Sequence, residues 1–137
     1  MINFSYMGMN YEIDEKVEFA DVEVGNAKAI AEQVSDLVEK CVKFRSLASI
    51  VKKAKSDAED SFEISKMESI ANADPMRLKT EKSKEAAFFA ENSQERLKIM
   101  NQISELDHIK DMCTIIADAY KMKCDILLAC AGLLDGK

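Results

Sequence analysis

The sequence predicts an all-α protein: a long helical hairpin of two long antiparallel helices, preceded by a short extended or β-like N-terminal segment and assembling as a homo-oligomer. Three observations lead there. Proline and glycine are scarce, one and four in 137 residues. Neither occurs between Asn26 and Pro75 or between Pro75 and Gly132. Along both uninterrupted stretches apolar residues recur at steps of three and four, the spacing of a helix that buries one stripe.

The first 22 residues differ from the rest. Tyr11 and Ile13, then Val17 and Phe19, alternate with polar neighbours. That period of two marks short extended segments. Residues 1–22 are read as an acidic appendage and residues 23–137 as the helical hairpin domain.

The first helix is expected from about Gly25 to the mid-sixties. Its seam runs Ala27, Ile30, Val34, Leu37, Cys41, Phe44, Ala48, Val51, then weakens at Lys55 before Ala58 and Phe62. Steps of three and four make this a heptad line. Asn72-Ala73-Asp74-Pro75 is the break signal. Asp74 suits an N-cap, and Pro75 suits the first helical position, where its missing N–H costs nothing.

The second helix is expected over about Lys84 to Leu133, bent near Glu91-Asn92-Ser93. Its seam passes through Ile103, Leu106, Cys113, Ala117, Tyr120, Cys124, Leu127, Ala131 and Leu134, interrupted at Lys110. Leu37, Phe44 and Val51 on the first seam and Leu106, Tyr120 and Leu127 on the second are the central core and oligomerisation positions. Two long helices have a thin interior, and their apolar stripes are wider than one partner helix covers. A neighbouring copy solves that problem. A break near Ser93 offers the other solution, a monomeric three- or four-helix bundle.

No catalytic constellation stands out. His108 is the single histidine, in an acidic helical context with no nucleophile beside it. Cys41, Cys113, Cys124 and Cys130 lack the paired spacing of a zinc site and read as free thiols, buried as small hydrophobes. No cofactor is expected, and no glycine-rich phosphate loop is present. The longest apolar run, from Ile126 to Leu134, has nine residues. A spanning helix needs ~20. The N-terminal residues lack a signal-peptide pattern. The expectation is a soluble cytoplasmic protein without membrane contact.

Charge carries the functional signal. The chain is acidic, with a formal charge of -6. Residues 1–39 hold nine acids against two bases, and Glu12, Asp14, Glu15, Glu18, Asp21 and Glu23 form a solvated acidic group rather than a calcium loop. The stretch from Lys40 to Lys55 instead holds six bases, Lys40, Lys43, Arg45, Lys52, Lys53 and Lys55, and no acid. Two readings stay open. The bases form a solvated helix flank facing acids of a neighbouring chain, or they track the phosphates of single-stranded DNA. Phe62, Phe88 and Phe89 are candidate base-stacking residues, with Phe89 and at least one of the others assigned to the core.

Short motifs in this chain resemble the UvsY family of bacteriophage recombination mediators. Lys53-Ala54-Lys55-Ser56-Asp57 is similar to the Lys-Ala-Arg-Leu-Asp core of that family's DNA-binding helix. Glu81-Lys82-Ser83, Asp111-Met112-Cys113 and Asp118-Ala119 with Lys121 resemble its later segments. The similarity covers about residues 40–125, with an insertion between Asp57 and Glu81. It implies a non-catalytic oligomer that binds single-stranded DNA and helps a phage recombinase replace the single-strand-binding protein. Lys53 and Lys55 then match the basic pair implicated in DNA contact. Lys55 stands where the family has arginine, which gives up bidentate phosphate contact. The competing expectation is an acidic helical interaction protein, an inhibitor, adaptor or DNA mimic for a basic partner.

Overall fold

The computed structural model describes residues 1–17, 26–74 and 80–135, and side chains up to residue 132. Two strands, β1 (Ile2–Tyr6) and β2 (Met9–Ile13), precede three helices, α1 (Ala27–Ala71), α2 (Glu81–Ala90) and α3 (Ser93–Asp135). The proposed boundary at residue 22 and the expected extension at Phe19 lie outside the described residues. Val17 belongs to no strand.

The strands pair antiparallel, with Ile2 opposite Ile13, Phe4 opposite Tyr11 and Tyr6 opposite Met9. Strand alternation places these six on one face. Phe4 and Tyr11 stack at 5.2 Å, and Phe4 and Ile13 are buried. On the other face Ser5 Oγ donates to Asn10 Oδ1 at 2.6 Å. The two-residue turn has positive φ at Met7 (50°) and Gly8 (77°). This left-handed pair twists with the strands, but methionine is a poor occupant of its first position. Met7→Asn is expected to raise stability by about 0.5–1 kcal/mol, because asparagine tolerates the left-handed region at lower cost. Urea unfolding at neutral pH measures the difference.

Asn26 starts α1, its Oδ1 accepting from the Ala29 N–H at 3.2 Å. The helix then runs 45 residues without a break. Thr80 caps α2 by accepting from the Ser83 N–H, whereas the expected cap at Asp74 precedes residues 75–79, which lie outside the described residues. At Asn92 a φ of 53° ends one helical path and begins another. The expected bend near residues 91–93 is therefore a full break, and the second helical region is two helices.

The chain divides into two compact units, Met1–Ile50 with Ile109–Lys137, and Val51–His108. In the first, Phe44 stacks on Tyr120 at 5.8 Å and Arg45 reaches Asp118. In the second, Lys55 reaches Asp107 and Lys66 reaches Glu85. Within each unit the positions descend along one segment as they ascend along the other, which is antiparallel pairing.

Leu37, Phe44, Val51, Tyr120 and Leu127 are buried as the seam predicts. Leu106 is only half-buried. Leu47 and Ala54 are buried beside the predicted seam positions Ala48 and Lys55. Leu134 lies beyond the described side chains.

All four cysteines are free thiols. Cys41, Cys113 and Cys124 are buried, and Cys130 is half-exposed. Burial pushes up the thiol pKa of Cys113 and, with help from Asp125 and Cys41, that of Cys124. The folded state thus holds these protons more tightly than the unfolded chain does. Their contribution is complete below the ordinary thiol value of 9.0 and is lost as pH rises above it. Urea midpoints are expected to fall between pH 8 and pH 10, less steeply in Cys113→Ala. At pH 8, iodoacetamide is expected to label Cys130 first, which mass spectrometry reads directly.

Candidate nucleic-acid interface

Burying Phe44, Leu47, Val51 and Ala54 on one side of α1 leaves the intervening bases on its other faces. The structure separates the six candidates by their partners. In the first unit Lys40 pairs with Asp36 one turn earlier at 3.2 Å and lies 5.7 Å from the Tyr120 ring centre. Arg45 approaches Asp118 at 4.0 Å, with both side chains exposed. Lys43 is exposed, its ammonium 5.8 Å from the Phe44 ring centre.

In the second unit Lys55 is held tightest. Its Nζ donates to Asp107 Oδ1 at 2.9 Å and lies 3.4 Å from Glu59 Oε1. The Asp107 hydrogen bond raises its pKa above the ordinary lysine value, partly offset by desolvation. Lys55 therefore ties α1 to α3. Lys52 and Lys53 are exposed and have no carboxylate within ion-pairing distance among the described residues. Of the acid-free stretch, these two ammonium groups are the pair free to meet phosphate within one unit.

The aromatic candidates form a single cluster. Phe62 meets Phe88 edge-on at 5.5 Å and Phe89 at 6.2 Å, and Phe88 meets Phe89 at 5.3 Å. Phe88 is fully buried, which makes it core. Phe89, assigned to the core from sequence, is exposed at 38%. Lys66 lies 5.9 Å from its ring centre and pairs with Glu85.

Two basic residues outside the predicted stretch enter here. The Arg96 guanidinium stacks on Phe88, 3.9 Å from the ring centre. Its Nε is shut off from solvent and has no acceptor among the described residues. An unpaired buried donor costs about 1–3 kcal/mol. Arg96 and Lys84 line a cavity of about 530 Å³ together with Ser65, Ser69, Asn72, Glu68 and Glu91. Nothing in the sequence flagged them, because the break at Asn92 is what returns Arg96 onto Phe88.

Among the described residues no group of three or more His, Cys, Asp or Glu side chains is placed to hold a metal ion. His108 is exposed. No described helix is long and apolar enough to cross a membrane. No family model, curated protein or solved structure matches this chain.

Proposed function

We propose that this chain is a non-catalytic, single-stranded-DNA-binding recombination mediator that works as a homo-oligomer and helps load a phage recombinase in exchange for the single-strand-binding protein. The observation that carries the reading is the pair Lys52 and Lys53, exposed and without carboxylate partners among the described residues, in a segment free of acids. Two contacts per protomer are weak alone. Repetition around an oligomer multiplies them along one flexible strand. The motif resemblance supplies the recombinase, the single-strand-binding protein and the cytoplasmic setting in a bacterial host.

Self-association has its own support. On α3, Ile115, Met122 and Ile126 are exposed at 68%, 65% and 52%, with Ala119 between them at helical spacing. This second apolar line lies beside the buried one through Cys113, Ala117, Tyr120 and Cys124. A partner helix from another copy, carrying the same line, covers it.

A second reading has one observation in its favour. Lys40, Arg45 and Lys55 already face acids of the chain itself, while Glu12, Asp14 and Glu15 are exposed in the acidic N-terminal region. That charge pattern suits an adaptor, inhibitor or DNA mimic with a basic protein partner. Sedimentation velocity with a fluorescent single-stranded oligonucleotide separates the two. The DNA reading expects the label to travel with the oligomer. Label that stays at the top while the protein sediments as an oligomer favours the acidic adaptor.

A further inference from the structure

Within the second unit, Phe89 is the aromatic ring that the core does not absorb. Of the three clustered phenylalanines, Phe88 is fully buried and Phe62 half-buried, whereas Phe89 is 38% exposed. Leaving so large an apolar side chain open gains nothing for folding. The ring is nevertheless held. Phe88 meets it edge-on at 5.3 Å, and Phe62 meets it at a tilt of 45°, 6.2 Å away. These two contacts fix its orientation and leave part of it open. The Lys66 ammonium, 5.9 Å from the ring centre, is at the outer limit of a cation–π contact and is taken up by Glu85 at 3.4 Å.

Helix geometry relates this ring to the DNA lysines. Lys52, Glu59 and Lys66 follow one another at steps of seven residues, so they share one face of α1. Phe89 sits beside the last of them, and Lys52 is the first. The two lysines are about 21 Å apart along the helix, at about 1.5 Å per residue. Glu59, between them, is engaged by Lys55 at 3.4 Å. One side of α1 therefore leads from the exposed lysine pair to an open, braced aromatic ring.

We infer that Phe89 is a base-stacking position of the single-stranded DNA site, one base lying against its open surface while the backbone follows Lys52 and Lys53. The inference rests on the DNA reading proposed above. Every base has a π-face, so a phenyl ring adds affinity here without sequence preference. Phe88, closed to solvent, holds the ring and takes no base.

The chain contains no tryptophan, so Phe89→Trp places a single indole at this position. Two strands of equal length are titrated into the full chain, an oligothymidylate and an abasic oligodeoxynucleotide with the same phosphates and no bases. Anisotropy of labelled strands reports binding, and indole fluorescence with unlabelled strands reports stacking. Both strands are expected to bind, and only the oligothymidylate to quench the indole saturably. Phe89→Leu is expected to weaken oligothymidylate binding about tenfold and to leave the abasic strand unchanged. Both replacements keep an apolar side chain against Phe62 and Phe88, and circular dichroism checks that the fold is retained. Oligothymidylate binding without quenching, equal quenching by both strands, or full affinity in Phe89→Leu overturns the stacking position and leaves the DNA reading standing. If neither strand binds the unsubstituted chain, the DNA reading falls and the stacking position falls with it.

Discussion

The double substitution Lys52→Glu with Lys53→Glu is expected to abolish binding of single-stranded DNA while leaving the fold and the oligomer in place. Both side chains are exposed and have no carboxylate partner among the described residues, so their replacement removes no internal contact. Glutamate is a good helix former, and surface changes away from special features usually move stability by less than about 0.5 kcal/mol. The effect on DNA is larger because each reversal both removes an attraction and adds a repulsion. An oligomer repeats that change at every protomer, so the loss compounds along the strand. Anisotropy with a labelled oligonucleotide measures the loss, and circular dichroism with sedimentation checks the fold and assembly. Lys55→Glu serves as the contrast. It breaks the contacts with Asp107 and Glu59, and its first effect is on the packing of α1 against α3 in the second unit.

Placing charge on the outer line of α3 is expected to dissociate the oligomer. Ile115 and Met122 are exposed within the chain, so Ile115→Lys with Met122→Lys creates no internal cavity. Burial of two such side chains at an interface contributes about 3–6 kcal/mol per protomer. Losing it weakens association by at least about two orders of magnitude. Sedimentation velocity reads the change in mass, with helicity by circular dichroism expected to stay near the wild-type value. DNA affinity falls in parallel, because separated protomers no longer present their lysines along one strand. A variant that stays assembled places the intersubunit contact on another face.

Much of the helical core was legible because burial follows a simple period. The heptad line through Leu37, Phe44 and Val51 needs only the 3.6-residue turn to be found. Leu47 and Ala54 were missed because a line is one residue wide, whereas a buried stripe covers ≳100° of the helix. The polar Glu91-Asn92-Ser93 sequence marked the weak point of the second helical region. The left-handed turn at Asn92 then made it a break. In the hairpin, Ile2, Phe4 and Tyr6 alternate as clearly as Tyr11 and Ile13. The connecting Met7-Gly8 lacks the Asn-Gly or Asp-Gly signature that would have paired them.

The candidate interface was legible only in part. Asp36–Lys40 and Lys55–Glu59 are four residues apart, so their pairing is visible as a helix spacing. Asp107 and Asp118 come from a different helix, and only packing brings them to Lys55 and Arg45. Long-range contacts of that kind decide which lysines remain available, and no periodicity encodes them. Arg96 meets Phe88, eight residues earlier, only because the helical path breaks at Asn92.

The most direct test of the account is the salt dependence of single-stranded DNA binding, followed by anisotropy between about 50 and 200 mM monovalent salt. Two phosphate contacts per engaged protomer, from Lys52 and Lys53, predict a log–log slope of about -1.4 per protomer (~0.7 per contact). Binding that follows this slope, and disappears with both lysines reversed, is the predicted result. No binding at the lower salt, or binding indifferent to salt and to both lysines, contradicts it.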